Sequence, residues 1–357
     1  MSFERENIHR MSGYVSGEQP DDPQTIKLNT NENPYPPTPA VDDVLAGFSR
    51  TRLRRYPPPT AIAFREAAAR LHGLQPENVI ATRGGDELLR LLITTFVDPG
   101  QPIGMTDPSY SLYPVLAQIQ DCPVVTQPMT PDWQPADDFA DRMNAAGVRL
   151  TFIVNPHAPS GALMPVGRVD ELARDLNSIL VLDEAYIDFV DHDYATTPLV
   201  REHDNLVILR TLSKGYSLAG LRFGYGLGPA SLIEPMLTKT RDSYNLDAIS
   251  QEVALAALAD QAHAKNTWQA VIRDREKLAA DLRELGLDSP PSQANFLLVS
   301  VPGGLPYKAP EIYQKLKELH ILVRYFDLPG LQDRLRISLG TPDENRRLMN
   351  AMRSLLD

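Results

Sequence analysis

Five short apolar runs in the first two thirds of the chain end on residues able to do chemistry. Gly84-Gly85-Asp86 follows Val79 to Thr82, Asp107-Pro108-Ser109-Tyr110 follows Ile103 to Thr106, and Asn155-Pro156 follows Leu150 to Val154. Asp183-Glu184-Ala185-Tyr186 follows Ile179 to Leu182, and Arg210-Thr211-Leu212-Ser213-Lys214 follows Val207 to Leu209. If these runs are strands of one open α/β sheet, the residues after them share the crevice in which such sheets bind ligands. An amine, a carboxylate, an amide, tyrosines and a glycine turn would then meet. That set matches the needs of pyridoxal 5'-phosphate (PLP), whose aldehyde takes an amine, whose pyridine nitrogen takes a carboxylate and whose ring oxygen takes donors.

Each residue has a place in that scheme. Lys214 can supply the amine. Asp183, at the end of a buried strand, is costly to desolvate as a lone charge, and a protonated pyridine nitrogen gives it a partner. Asn155 and Tyr186 can donate to the ring oxygen, while Tyr110 can lie against the ring face. The phosphate needs its own seat. Gly84 and Gly85 let the backbone approach closely where a helix begins at Asp86, and free N–H groups with the positive dipole end favour an anion there. Ser213 and Arg222 add a hydroxyl and a charge-assisted donor.

The elements that must position these residues are legible as patterns. The six runs from Val79 to Leu227 are continuous rather than alternating, which suits strands buried on both faces. Between them lie helical stretches. One begins on Asp86 as its capping residue and sets Leu88, Leu92 and Phe96 on one stripe; another runs from Ala61 to His72 and stops at Gly73. Strands alternating with helices predict an α/β domain with a mostly parallel central sheet. Beyond residue 241 long helices (250–258 and 268–285) precede short strands near 295–301 and 335–339, the pattern of a smaller α+β domain. We therefore expect a large domain over 36–240 and a small one over 241–357, completed by the Pro- and Asn-rich arm 1–35.

Bulk properties bound the function. A chain of 357 residues is long for one hydrophobic core, which favours two domains. Its formal charge of −11 argues against general affinity for nucleic acid or an anionic membrane, so an anionic ligand must be held by local arginines. The basic run Arg50, Arg52, Arg54 and Arg55 is read as a helix end facing acidic neighbours. The lone Cys122 excludes an intrachain disulfide and a CxxC metal set, and no metal is expected. Residues 1–10 alternate charges, unlike a signal peptide, and no run approaches the ~20 apolar residues of a membrane span, so the cytosol is the expected compartment. Gly224-Tyr-Gly226-Leu-Gly228 lacks the GxGxxG spacing of a dinucleotide loop, which counts against an NAD oxidoreductase.

Ser213-Lys214 followed by Gly220-Leu221-Arg222 and Gly224 resembles the Schiff-base motif of fold type I PLP enzymes. Asn155-Pro-His-Ala-Pro-Ser-Gly161 and Asp183-Glu-Ala-Tyr186 resemble their other two cofactor motifs, in the same order. Within that family, Asn31-Glu-Asn-Pro-Tyr35, Arg55-Tyr56-Pro57, Ser292-Gln-Ala-Asn-Phe296 and Leu335-Arg336-Ile337 are similar to the histidinol-phosphate aminotransferase branch. The resemblance implies that Lys214 is the Schiff-base lysine and proton shuttle, working with Asp183 and Tyr186. It assigns Tyr110 and Asn155 to the cofactor ring and Gly85, Asp86, Ser213 and Arg222 to its phosphate. Tyr56 would reach the cofactor phosphate of a neighbouring subunit, implying a homodimer. Arg336, Arg324, Tyr14 and Asn33 would contact the substrate.

The implied reaction joins L-histidinol phosphate and 2-oxoglutarate to give imidazole acetol phosphate and L-glutamate, a step of histidine biosynthesis. One site must then accept a phosphate ester or a second carboxylate, and two planar, multi-donor arginine heads suit that task. The chain departs from the branch at His157-Ala158, at Pro58 and at Tyr244-Asn245-Leu246-Asp247, near the mouth of the site. An aromatic amino acid aminotransferase, a threonine-phosphate-type decarboxylase and a PLP-binding module without turnover are the alternative readings.

Overall fold

The structure is a computed structural model that describes residues 2–190 and 193–356. Its strands in chain order are β1 (Ile26–Lys27), β2 (Val79–Thr82), β3 (Ile103–Asp107), β4 (Val124–Pro128), β5 (Leu150–Val154) and β6 (Ile179–Asp183). They continue with β7 (Leu206–Thr211), β8 (Gly224–Leu227), β9 (Phe296–Ser300), β10 (Ile321–Leu322), β11 (Arg324–Tyr325) and β12 (Arg334–Ser338). Seven of them form one sheet in the order β2-β8-β7-β6-β5-β3-β4. Every residue of β2 and β5 is buried, which is why their sequences are unbroken apolar runs.

Within this sheet, among the described residues, only β8 runs against its neighbours, β2 and β7. Since β2 opposes β8 and β8 opposes β7, the carboxyl ends of β2, β3, β5, β6 and β7 lie along one edge of the sheet. The antiparallel β8 starts at that same edge, with Gly224 opposite both Thr82 and Thr211, so Arg222 arrives there too. A β-carbon on Gly224 would sit 2.8 Å from the carbonyl carbon of Gly84, so only glycine lets β8 pass beneath that turn. The helix after β2 spans Gly84–Phe96, two residues earlier than expected. Asp86 lies inside its first turn rather than capping it; Arg83 holds the cap position and makes no side-chain cap bond.

The second core gathers the antiparallel sheet β11-β12-β9, the parallel pair β1 and β10, and helices Gln261–Glu284, Ala309–Glu318 and Pro342–Leu356. Ile26 and Leu28 of the arm are buried in it. The two long helices start earlier than their apolar stripes: Asp247 accepts from Ser250 N–H at 2.8 Å and Asp260 from His263 N–H at 3.1 Å. Each carboxylate satisfies an end amide that would otherwise lack a partner. Val253, Ala254, Ala257 and Leu258 on helix Ala248–Ala259 join the core of the large sheet, so that core continues past residue 240. Among the described residues no helix is long and apolar enough to cross a membrane.

Candidate active site

A cavity of about 560 Å³ opens between the carboxyl edge of the large sheet and the face of β11 and β12. Lys214, on the turn after β7, lines it, and its Nζ donates to the Thr30 carbonyl at 2.9 Å. Burial, aided by the nearby charge of Arg336, lowers its pKa to about 8. A neutral, nucleophilic amine is thereby accessible close to physiological pH. The turn is held from outside the cavity. Asn33 Nδ2 donates to the carbonyls of Lys214 (3.1 Å) and Gly215 (3.3 Å), and Trp268 Nε1 donates to Gly215 at 2.8 Å. Asn33, expected to touch substrate, instead clasps this turn, because two carbonyls occupy its amide; it does not line the cavity.

Asp183 ends β6 with only 4% of its surface exposed. Burial pushes its pKa up to about 6, against the pull of two donors: Tyr113 O–H at 2.7 Å on Oδ2 and Ala185 N–H at 3.1 Å on Oδ1. Tyr113 was not legible as a functional residue. It reads as a core aromatic on a helical stripe and is fully buried, stacked on Phe152 at 4.5 Å. The spacing from Tyr110 was the one available signal, since a turn before the helix Leu112–Ile119, in which Tyr113 N–H donates to the Tyr110 carbonyl at 3.2 Å, brings the two rings together. Tyr110 meets Tyr113 edge-on at 5.5 Å and Tyr14 of the arm at 6.2 Å. The Tyr186 hydroxyl accepts from Asn31 Nδ2 at 3.1 Å, and Ser338 Oγ fixes that amide by donating to its Oδ1 at 2.9 Å.

An anion seat lies beside these groups. The helix beginning at Gly84 points its uncapped amides at the cavity wall formed by Gly85 and Asp86. Arg222, held at φ 58°, places Nη1 3.4 Å from Ser213 Oγ and Nη2 3.3 Å from Asp86 Oδ2. Gly84 has φ 75°, and a β-carbon there would stand 2.7 Å from Arg222 Nη2. Its lack of a side chain is what admits the guanidinium.

A pair of cations lines the same cavity. Arg324 and Arg336 are direct partners across β11 and β12, with both guanidinium carbons within 5.5 Å of the Phe326 ring centroid. Arg336 Nη2 donates to Asn29 O at 2.8 Å, whereas its Nε is buried with no hydrogen-bond partner among the described residues, as is Ser109 Oγ. Like charges directly opposite on a sheet repel, an arrangement that becomes favourable when an anion lies against both.

Two further residues read as cofactor contacts do not line this cavity. Asn155 accepts from Met164 N–H at 2.7 Å and donates to the Tyr194 hydroxyl at 2.6 Å, in a small pocket separate from the cavity. Those bonds fix the orientation of its amide beside the end of β5. Tyr56 is 80% exposed and stacked on Tyr244 at 4.3 Å, on the outer surface rather than in the cavity.

A suppressed lysine charge, a carboxylate short of a cation and an uncapped helix end fit one guest: a cationic aromatic ring bearing an aldehyde and a phosphate, which is PLP. Sequence comparison agrees, since the model of the aminotransferase class I and II family matches residues 23–352. The chain belongs to that family and is a PLP-dependent transaminase of the fold type I architecture. Its relatives narrow the class. Histidinol-phosphate aminotransferase 1 of Trichormus variabilis is 42% identical, covering 99% of both chains, and histidinol-phosphate aminotransferase of Geotalea uraniireducens is 42% identical, covering 98% of this chain and 99% of its own. The crystal structure of histidinol-phosphate aminotransferase from Sinorhizobium meliloti in complex with pyridoxal-5'-phosphate superposes with a TM-score of 0.91 at 26% identity, covering 99% of each chain.

Proposed function

We propose that this transaminase moves the amino group of L-histidinol phosphate to 2-oxoglutarate, giving imidazole acetol phosphate and L-glutamate in histidine biosynthesis. The observation that carries the reading is the cross-strand pair Arg324 and Arg336, which lines the cavity of a chain 42% identical to histidinol-phosphate aminotransferases. A phosphate ester presents three terminal oxygens and a carboxylate two, and two guanidinium forks can pair with either.

Bound PLP supplies an aldehyde that captures amines and a conjugated ring that takes up the electron pair released at the substrate α-carbon. The residues of the chain do the rest. Lys214 Nζ holds the cofactor and, once free, moves the proton released at the α-carbon. Asp183 keeps the ring nitrogen charged, and Tyr113 and Ala185 hold that carboxylate in line. Tyr186 donates to the ring oxygen, with its hydroxyl aimed by Asn31. Tyr110 covers the ring face, and the amides at Gly85 and Asp86, with Ser213 and Arg222, seat the phosphate. Tyr14 closes over the cavity beside Tyr110. The exposed Tyr56 and Tyr244 pair supports a homodimer in which Tyr56 reaches the partner's cofactor phosphate, and the biosynthetic role supports a cytosolic enzyme.

Half-reactions followed by the absorbance of the bound cofactor test the substrate. Histidinol phosphate should convert the enzyme fastest, ahead of phenylalanine and threonine phosphate. Faster conversion by phenylalanine would make it an aromatic aminotransferase, and carbon dioxide release from threonine phosphate would make it a decarboxylase.

A further inference from the structure

Outside the cavity, a set of contacts connects the small sheet to the loop that bears Tyr110. The guanidinium carbon of Arg334 lies 5.3 Å from the ring centroid of Trp133, and Trp133 in turn stacks on His157 at 5.7 Å and 28°. His157 Nε2 is 2.9 Å from the Pro108 carbonyl, two residues before Tyr110. A carbonyl can only accept, so Nε2 carries the proton and Nδ1 accepts from Ser160 Oγ at 2.7 Å. Ser160 Oγ accepts in its turn from Ala162 N–H at 3.2 Å, which completes the orientation of the ring. With 3% of its surface exposed and its pKa lowered to about 4 by burial, the imidazole is neutral at working pH. Arg334 and Arg336 are two apart on β12 and so leave the strand on the same face.

We propose that His157 is a positioning residue: its Nε2–H fixes the Pro108 carbonyl, and with it the angle at which Tyr110 covers the cofactor ring, while Trp133 and Arg334 tie that loop to the strand bearing Arg336. The proposal depends on the transaminase class and not on which amino donor the enzyme prefers. It separates a hydrogen-bonding role from packing, because phenylalanine keeps the ring and its stack on Trp133 but loses the donor.

The test uses holoenzyme and reads two signals: the visible circular dichroism of bound PLP, which reports the asymmetry of its surroundings, and kcat with the preferred donor. His157→Phe should lose most of the dichroic band and lower kcat about ten-fold, the scale of a small misplacement of a reacting group. His157→Gln, which can present an N–H to Pro108, should recover both. A native band and rate in His157→Phe, or no recovery in His157→Gln, would overturn the proposal. If His157→Phe fails to fold, His157→Leu against His157→Gln makes the same comparison. Arg334→Ala, at the partly exposed end, should raise the KM for 2-oxoglutarate more than it lowers kcat, and an unchanged KM would refute the link to β12.

Discussion

At the scale of single residues, chemistry concentrates on Lys214 and Asp183, whose environments push their pKa values toward each other, to about 8 and about 6. Lys214→Ala should abolish turnover, and a variant that still transaminates at the native rate would refute the assignment. In the apoenzyme the rate at which Lys214 captures PLP should rise through about pH 8, because the neutral amine is the reacting form. A midpoint near 10.5, the ordinary value for lysine, would mean that burial does not act on this amine. Tyr113→Phe removes one of two donors to Asp183, a hydrogen bond to a charged group worth about 1.5–3 kcal/mol. PLP should then dissociate roughly ten-fold more readily from that variant, measured by equilibrium titration of the apoenzyme.

At the scale of elements, sequence pattern served best where burial on both faces leaves no room for polar residues, as in β2, β5 and β6. It failed for β4, an edge strand with half-exposed valines and a proline, and it could not give the direction of β8. Direction depends on where the preceding turn leads the chain, which no local composition encodes. The close pass of β8 under the Gly84 turn gives a test: Gly224→Ala places a methyl 2.8 Å from backbone and should cost about 1–3 kcal/mol of stability. It should also weaken PLP binding, because the anion seat at Gly84–Asp86 must shift. A calorimetric melt and a cofactor titration of the same variant check both halves.

Across the whole molecule, the buried His157 sets part of the response to acid. His157 has its folded pKa lowered to about 4 from an ordinary 6.5, so as pH falls below 6.5 the unfolded chain takes up its proton first. The stability that neutral His157 represents is therefore complete above pH 6.5 and is lost as pH falls to about 4. Asp183 and Asp188, raised to about 6 and about 7, act with the opposite sign, so the clean measurement is a difference. Wild type should lose up to roughly 3 kcal/mol relative to His157→Gln between pH 6.5 and 4 in denaturant titrations, and parallel curves would contradict a buried neutral imidazole.

The chain by itself determined the inner half of the site. Strand-end residues, a lysine between a strand and a glycine turn, and a glycine pair before a helix are local arrangements, and local arrangements follow from short-range sterics and burial. Only the tertiary structure decided what faces what. It opposed Arg324 to Arg336, brought Tyr113 onto Asp183 and fixed the amides of Asn155 and Asn33 on their partners. Those outcomes join residues distant in sequence, through packing between elements, and a side chain's hydrogen-bond partner is settled by whichever groups that packing brings within 3 Å.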